Sequence, residues 1–326
     1  MNRARAGAVI SVLVAGADLV ACSPPATSSD GPTPADATVA QTFDIGDGGK
    51  IYLECTGSGS PTVVLVSGQR ASAEDWMIVA DGVDSAPVYS LVGEQTRVCA
   101  YDRPGTPVGE SPSRSDPVEQ PTTAGDMVAD LHALVGAAGI AEPFVIVGHS
   151  AGGLAARLYA ATYPESVSGM VLVDALSEGL QKYMTADQWV IQKPLLRGDI
   201  DVSIAEYPAL EWVEPEASFE QMRAAPALKQ MPLVVISADQ PIGPTIPGLK
   251  AAGVIGQEIP DDFGYVTDAV HEKSQADLAA SVAASVFLTE TNSGHNVHIE
   301  QPALVAGAIL DVVGLVRDGA DSAQPR

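Results

Sequence analysis

The chain has 326 residues, with 17 Lys+Arg against 41 Asp+Glu and a formal net charge of −24. That length suits one large domain, or a domain with an inserted cap, and three cysteines are too few for a disulfide scaffold. The acidity argues against nucleic-acid binding and against adsorption to an anionic membrane through basic patches, and a 46% hydrophobic content argues against an acidic disordered chain.

Residues 1–5 are basic and residues 6–21 mostly apolar, interrupted by Asp18. The run is too short for a transmembrane helix and suits a signal peptide over 1–21. It ends in Leu19-Val20-Ala21-Cys22, which resembles the bacterial lipobox. The resemblance implies a lipid on the Cys22 thiol and an exported protein anchored to the outer face of the cell membrane. Residues 22–42, rich in Pro, Ser, Thr and Ala, read as a flexible tether. Removing 1–21 takes away only Arg3, Arg5 and Asp18, so the acidity belongs to the folded part. Cys55 and Cys99 lie in or beside β-like runs at 50–55 and 96–101. In an exported protein such a pair points to a disulfide, the alternative being two buried free thiols.

Near-continuous apolar runs at 62–66, 97–101, 144–147, 169–173, 233–236 and 285–288 predict strands buried on both faces. Helical patterns lie at 127–138, 150–163 and 302–316, the last with proline in its first turn. The alternation predicts an α/β domain with a mostly parallel sheet covered by helices on both faces. The core spans 43–175 and 231–326. Segment 176–230, rich in aromatic residues and proline and without a clear strand, reads as a small helical lid. Its aromatics either pack the lid onto the body or line a substrate pocket. Segment 243–264, rich in Gly and Pro, reads as a long loop.

Gly148-His149-Ser150-Ala151-Gly152 is G-x-S-x-G between a predicted strand and a predicted helix, the setting that exposes a nucleophilic serine on a sharp turn. A serine nucleophile needs a base and an orienting acid, here expected in the chain order Ser, acid, His. His295, after Gly294 in the loop following the last strand, is the expected base, with His298 as competitor. His149 is expected to buttress the turn. His132 and His271 lie in helical patterns and are expected as surface or core residues.

The chain is similar to the α/β-hydrolase fold from about residue 43 to 317. The resemblance is carried by Thr62-Val63-Val64-Leu65-Val66-Ser67-Gly68-Gln69, Tyr101-Asp102-Arg103-Pro104-Gly105, the Ser150 motif, Val171-Leu172-Val173-Asp174 and Ser293-Gly294-His295 with Glu300-Gln301-Pro302. It implies a serine hydrolase, with the amides of Gln69 and Ala151 as oxyanion donors. Ser67 stands where relatives usually carry His and leaves the bracing of that loop open. Two positions compete for the acid: Asp174 is favoured and Asp239 is the alternative. Arg70 either binds a carboxylate or pairs with an acid, and 102–105 reads as a structural turn. The lid acids Glu206, Glu211, Glu214 and Glu216 read as a solvated face, although an aminopeptidase would need such a pair to hold an ammonium. No metal-ligand spacing and no dinucleotide motif is present, so no cofactor is expected. The expected partner is a small-molecule ester, and the only expected membrane contact is the lipid anchor. A second enzymatic reading is a hydrolase of an amide or peptide, or of a thioester, on the same residues, and a non-enzymatic one is a ligand-binding lipoprotein.

Overall fold

The computed structural model describes residues 38–46, 49–197 and 200–323. The signal segment, the lipidation site Cys22 and the tether up to residue 37 lie outside the described residues.

The strands are β1 (Val39–Gly46), β2 (Gly49–Thr56), β3 (Val63–Val66), β4 (Val98–Tyr101), β5 (Phe144–His149), β6 (Val167–Val173), β7 (Leu233–Ile236) and β8 (Val286–Leu288). They form one sheet in the order β1-β2-β4-β3-β5-β6-β7-β8. β1 pairs antiparallel with β2, and β2 with β4, whereas the pairs from β4 through to β8 are parallel. β1 starts at Val39, inside the stretch expected to be tether. Its pattern of exposed and partly buried residues belongs to an edge strand, which carries a weak apolar signal.

The helices are α1 (Val88–Gly93), α2 (Ala124–Ala138), α3 (Ala151–Thr162), α4 (Gly179–Lys182), α5 (Ala186–Arg197), α6 (Ile200–Glu206), α7 (Pro215–Ala224), α8 (Ile246–Ala251), α9 (Phe263–Ala279), α10 (Val297–Glu300) and α11 (Pro302–Ala323). Among the described residues none is long and apolar enough to cross a membrane. α2 starts at a reciprocal cap between Thr123 and Asp126 and stops at Gly139, whose φ of 63° ends the helix. Segment 243–264 is not a plain loop: a 3-10 turn (Gly243–Thr245) leads into α8, because Pro244 and Pro247 sit at helix starts, where proline is tolerated.

The sheet divides the core. Val64, Val66, Cys99 and Ile146 face α2, α3 and α7, while Val63, Leu65, Val98, Val145 and Val147 face α1 and α11. The middle strands are therefore buried on both sides, the physical reason for their unbroken apolar runs. The parallel strands all end on one edge, so the loops after β3, β5, β6, β7 and β8 converge there.

Cys55 and Cys99 are directly opposed on β2 and β4 and form a disulfide, with Cα atoms 4.0 Å apart and a sequence separation of 44. Replacing both by alanine is expected to lower the unfolding free energy by about 3–4 kcal/mol, the loop-closure term for a bridge of that span. A lower urea midpoint for the double variant checks this.

Candidate active site

Ser150 sits between the end of β5 and the start of α3 with φ 52° and ψ −125°, a conformation that non-glycine residues rarely hold. The turn is possible because the residues two positions away on either side, Gly148 and Gly152, lack side chains. A Cβ on Gly148 would come within 2.6 Å of the Gly152 carbonyl oxygen, and one on Gly152 would overlap the backbone of Val66 and Ser67. The Ser150 amide donates to Val173 O (3.2 Å), and its carbonyl accepts from Gly153 and Leu176. The Ala151 amide opens α3 and so has no acceptor within the helix.

Asp174 follows β6 at φ 42° and is buried. Its amide donates to Ile236 O at the end of β7 (2.7 Å). One carboxylate oxygen, Oδ2, accepts from His295 Nδ1 at 2.6 Å. The other, Oδ1, accepts from the Ala238 amide at 2.9 Å and lies 2.8 Å from His271 Nε2. Burial opposes ionisation of Asp174, but the hydrogen bonds and charges of His271 and His295 outweigh it and hold the carboxyl well below the usual carboxylate range.

Asp239 does something else. Its carboxylate accepts from the amides of Asn292 (2.9 Å) and Ser293 (2.9 Å), and its amide donates to Ser293 O (3.1 Å). It staples the loop that carries His295; desolvation opposes its ionisation, but the hydrogen bonds from that loop together outweigh it and keep the carboxyl low. The structure thus brings Asp174, not Asp239, to the imidazole of His295.

The histidines beside Ser150 have distinct surroundings. His295 is half exposed. His149 is buried and lies 3.0 Å from the His295 carbonyl through Nε2; burial and the neighbouring His298 and His295 push its pKa well down, so it stays neutral. His298 is buried in α10, 2.8 Å from Asp75 Oδ2, and stacks obliquely on Trp76 with ring centroids 4.6 Å apart. The fold gathers Asp75, His149 and His298 so that a ligand atom of each lies within 4.8 Å of the others, a proximity that no sequence spacing announces. Nε2 of His298 is turned to Asp75 and Nε2 of His149 to a carbonyl, so the group acts as a hydrogen-bonded support under the loop of His295. His271 departs from its expected surface or core role: α9 carries it to Asp174.

The loop after β3 carries Gln69. Ser67, in place of the usual His, donates its hydroxyl to Ser72 O (2.8 Å) and so braces the loop from within. Arg103 braces it from below. Its guanidinium donates to the carbonyls of Ser67 (2.9 Å) and Gly68 (2.6 Å) and to both oxygens of Glu211 (2.6 and 3.1 Å). Glu211 also accepts from the Arg70 amide at 2.6 Å. Glu211 is buried, not part of a solvated face, and the pairing raises the Arg103 pKa against the opposing effect of burial. Glu214 pairs with Arg197 and Glu216 with Lys193, while Glu206 is exposed. The Arg70 guanidinium lies over the Trp212 ring, 4.8 Å from its centre. Phe219 and Trp212 are buried and Tyr207 is exposed, so the aromatics of 176–230 divide between packing and surface.

The pattern of the Alpha/beta hydrolase family matches residues 63–308, and the chain belongs to that family. RutD of Escherichia coli O44:H18 (strain 042 / EAEC), named for carbamate hydrolysis, is 30% identical over 165 residues, 47% of this chain and 56% of RutD. The chain thus spans little more than half the length of the curated relatives it matches first. Two solved structures share the fold. A thermophilic esterase from Thermogutta terrifontis is 19% identical, with a TM-score of 0.53 over 86% of this chain and 99% of that one. An alpha/beta hydrolase fold protein from Burkholderia ambifaria is 18% identical, with a TM-score of 0.55 over 85% and 99%. At such identities the likeness is one of fold.

Truncating Glu211 would strand a buried guanidinium. Glu211→Ala is expected to lower the unfolding free energy by about 3–5 kcal/mol, and Glu211→Gln by less because its amide oxygen still accepts. Urea titrations of the two variants check the order.

Proposed function

We propose that the protein is a serine hydrolase that cleaves carboxylic esters through an acyl-enzyme. The observation that carries this reading is the 2.6 Å contact between buried Asp174 and Nδ1 of half-exposed His295, whose ring packs on His149, the residue before Ser150 in its strained turn. An ionised carboxylate only accepts, so it holds the Nδ1–H tautomer and leaves Nε2 of His295 as the base. His295 takes the proton of Ser150 Oγ as that oxygen attacks the ester carbonyl. The amides of Ala151 and Gln69 stabilise the developing oxyanion, assisted by the N-terminus of α3. The imidazolium of His295 then protonates the leaving alcohol. Water, activated by the same base, releases the acid and restores Ser150.

The lid acids speak against the aminopeptidase reading. Glu211, Glu214 and Glu216 are each bound to an arginine or lysine of the protein, so they are not an open pair for a substrate ammonium. Carbamates, suggested by the relation to RutD, present the same kind of carbonyl and belong in the same substrate panel.

Ser150→Ala is expected to lower ester hydrolysis at least about a thousandfold and to abolish labelling by a fluorophosphonate. Asp174→Asn is expected to reduce kcat by about a thousandfold or more, against less than about tenfold for Asp239→Asn. The measurement is turnover of p-nitrophenyl esters of increasing chain length, with aminoacyl anilides run in parallel. Retained turnover in the Ser150 variant, or equal losses in the two aspartate variants, would overturn the corresponding assignment.

A further inference from the structure

We propose that His271 is a positioning residue for the reacting imidazole: it holds the second oxygen of Asp174 and competes with His295 for the charge of that one carboxylate. The proposal rests on the serine-hydrolase reading above and adds to it a second histidine on the acid.

The geometry is direct. Asp174 Oδ1 lies 2.8 Å from His271 Nε2 and 2.9 Å from the Ala238 amide, while Oδ2 lies 2.6 Å from His295 Nδ1. With Oδ1 held from two directions, the carboxylate cannot rotate about its Cβ–Cγ bond without breaking hydrogen bonds. Oδ2 is thereby kept aimed at His295. The anchor is rigid on its own side, since His271 is in the middle of α9, a helix of 17 residues. Its side chain is about 30% exposed, so it can exchange protons with solvent while touching a buried acid.

The second effect is electrostatic. The charged groups facing His271 are Asp174, from the loop after β6, and Asp268, one turn earlier on α9. Asp268 itself accepts from the amides of Ile242 and Gly243 beside the 3-10 turn. β7 contributes the hydroxyl of Ser237, 3.5 Å from His271 Nε2. α4 contributes Lys182, which pairs with Asp277 towards the far end of α9, and Lys273 lies over Tyr183. His271 therefore faces acids. Burial disfavours its charge, but the hydrogen bond and charge of Asp174, with Asp268, raise its pKa above the ordinary histidine value. Protonated His271 neutralises part of the Asp174 charge that would otherwise stabilise the His295 imidazolium. Two cations on one anion are disfavoured, so charge on one imidazole opposes charge on the other.

The test combines pH profiles of kcat/KM for wild type, His271→Ala and His271→Gln with an imidazole 15N NMR titration in the Ser150→Ala background. His271→Ala is expected to lower kcat about tenfold, and His271→Gln, whose amide can still donate to Oδ1, to recover most of that loss. Both variants should move the acidic limb to higher pH, by about half a unit or more, because His295 no longer shares the carboxylate. The NMR titration of His295 should move the same way, and it does not depend on turnover. An acidic limb and a His295 titration that stay in place in both variants would overturn the proposal. So would equal loss of kcat in both variants with no pH shift, the signature of a purely structural role. Full ester hydrolysis by Ser150→Ala would instead overturn the serine reading, and the NMR titration would still decide whether His271 and His295 are coupled.

Discussion

The carboxylate of Asp174 is the point on which the strand-end loops depend. Its backbone amide reaches the end of β7, and its side chain reaches Ala238 after β7, His271 on α9 and His295 after β8. A buried anion is expensive unless it is fully hydrogen-bonded, and this one is satisfied only when all these segments are in place. The penalty for misplacing any of them is therefore shared, and the carboxylate works as a checkpoint on the assembly of that edge. It also requires an uncommon backbone. Asp174 at φ 42°, like Ser150 at φ 52° and Arg70 at φ 61°, occupies a region that costs a non-glycine residue about 1–3 kcal/mol. Strain of this kind persists only where the surroundings over-determine the position, and these three positions flank one another at the ends of β6, β5 and β3.

A second buried charge organises the other side of the site. Arg103 and Glu211 lie 108 positions apart in the chain, in a turn after β4 and in the segment between α6 and α7. A buried ion pair is weak evidence for stability as such, since desolvating both partners offsets much of their attraction. Its value here is geometric. The guanidinium fork fixes two successive carbonyls, Ser67 and Gly68, and the carboxylate takes the amide of Arg70, so the peptide groups around Gln69 are clamped on both sides. The segment between β6 and β7 is thus tied into the floor of the site at Glu211, whatever its outer helices do.

Much of this was legible from local sequence. The unbroken apolar runs announced the parallel strands, because in β3 to β7 burial on both faces removes any polar alternation; β8, expected to be buried likewise, is instead exposed to partly buried at the sheet edge. The Ser150 turn was legible because its glycines are required by backbone approach within a few residues. Asp174 stood out through its place at the end of a strand. What was not legible is long-range and polar. Nothing around His271 distinguishes a helix residue facing solvent from one reaching an acid 97 positions away in the chain. Glu211 sits in a run of acids and proline, and its burial follows only from Arg103, more than a hundred residues earlier. β1 escaped because an edge strand has little apolar signature, and α8 because proline at a helix start reads like proline in a loop.

The histidines illustrate why type and spacing alone do not assign chemistry. His149, His298 and His295 lie close enough for their rings to touch in sequence, His149–His298 with centroids 4.3 Å apart and His149–His295 4.7 Å apart. Their surroundings separate them. His149 is enclosed among the other two and is driven neutral, so it can supply a fixed hydrogen bond to the His295 carbonyl but little charge. His298 has its own carboxylate, Asp75, beneath the site. Of these three, His295 alone combines a buried anion on one nitrogen with a ring half open to solvent. A proton acceptor for an incoming substrate needs both properties: an anion behind it to stabilise the cation it becomes, and access in front. Among His149, His295 and His298 only His295 has both, and the surroundings withhold one or the other from its two neighbours.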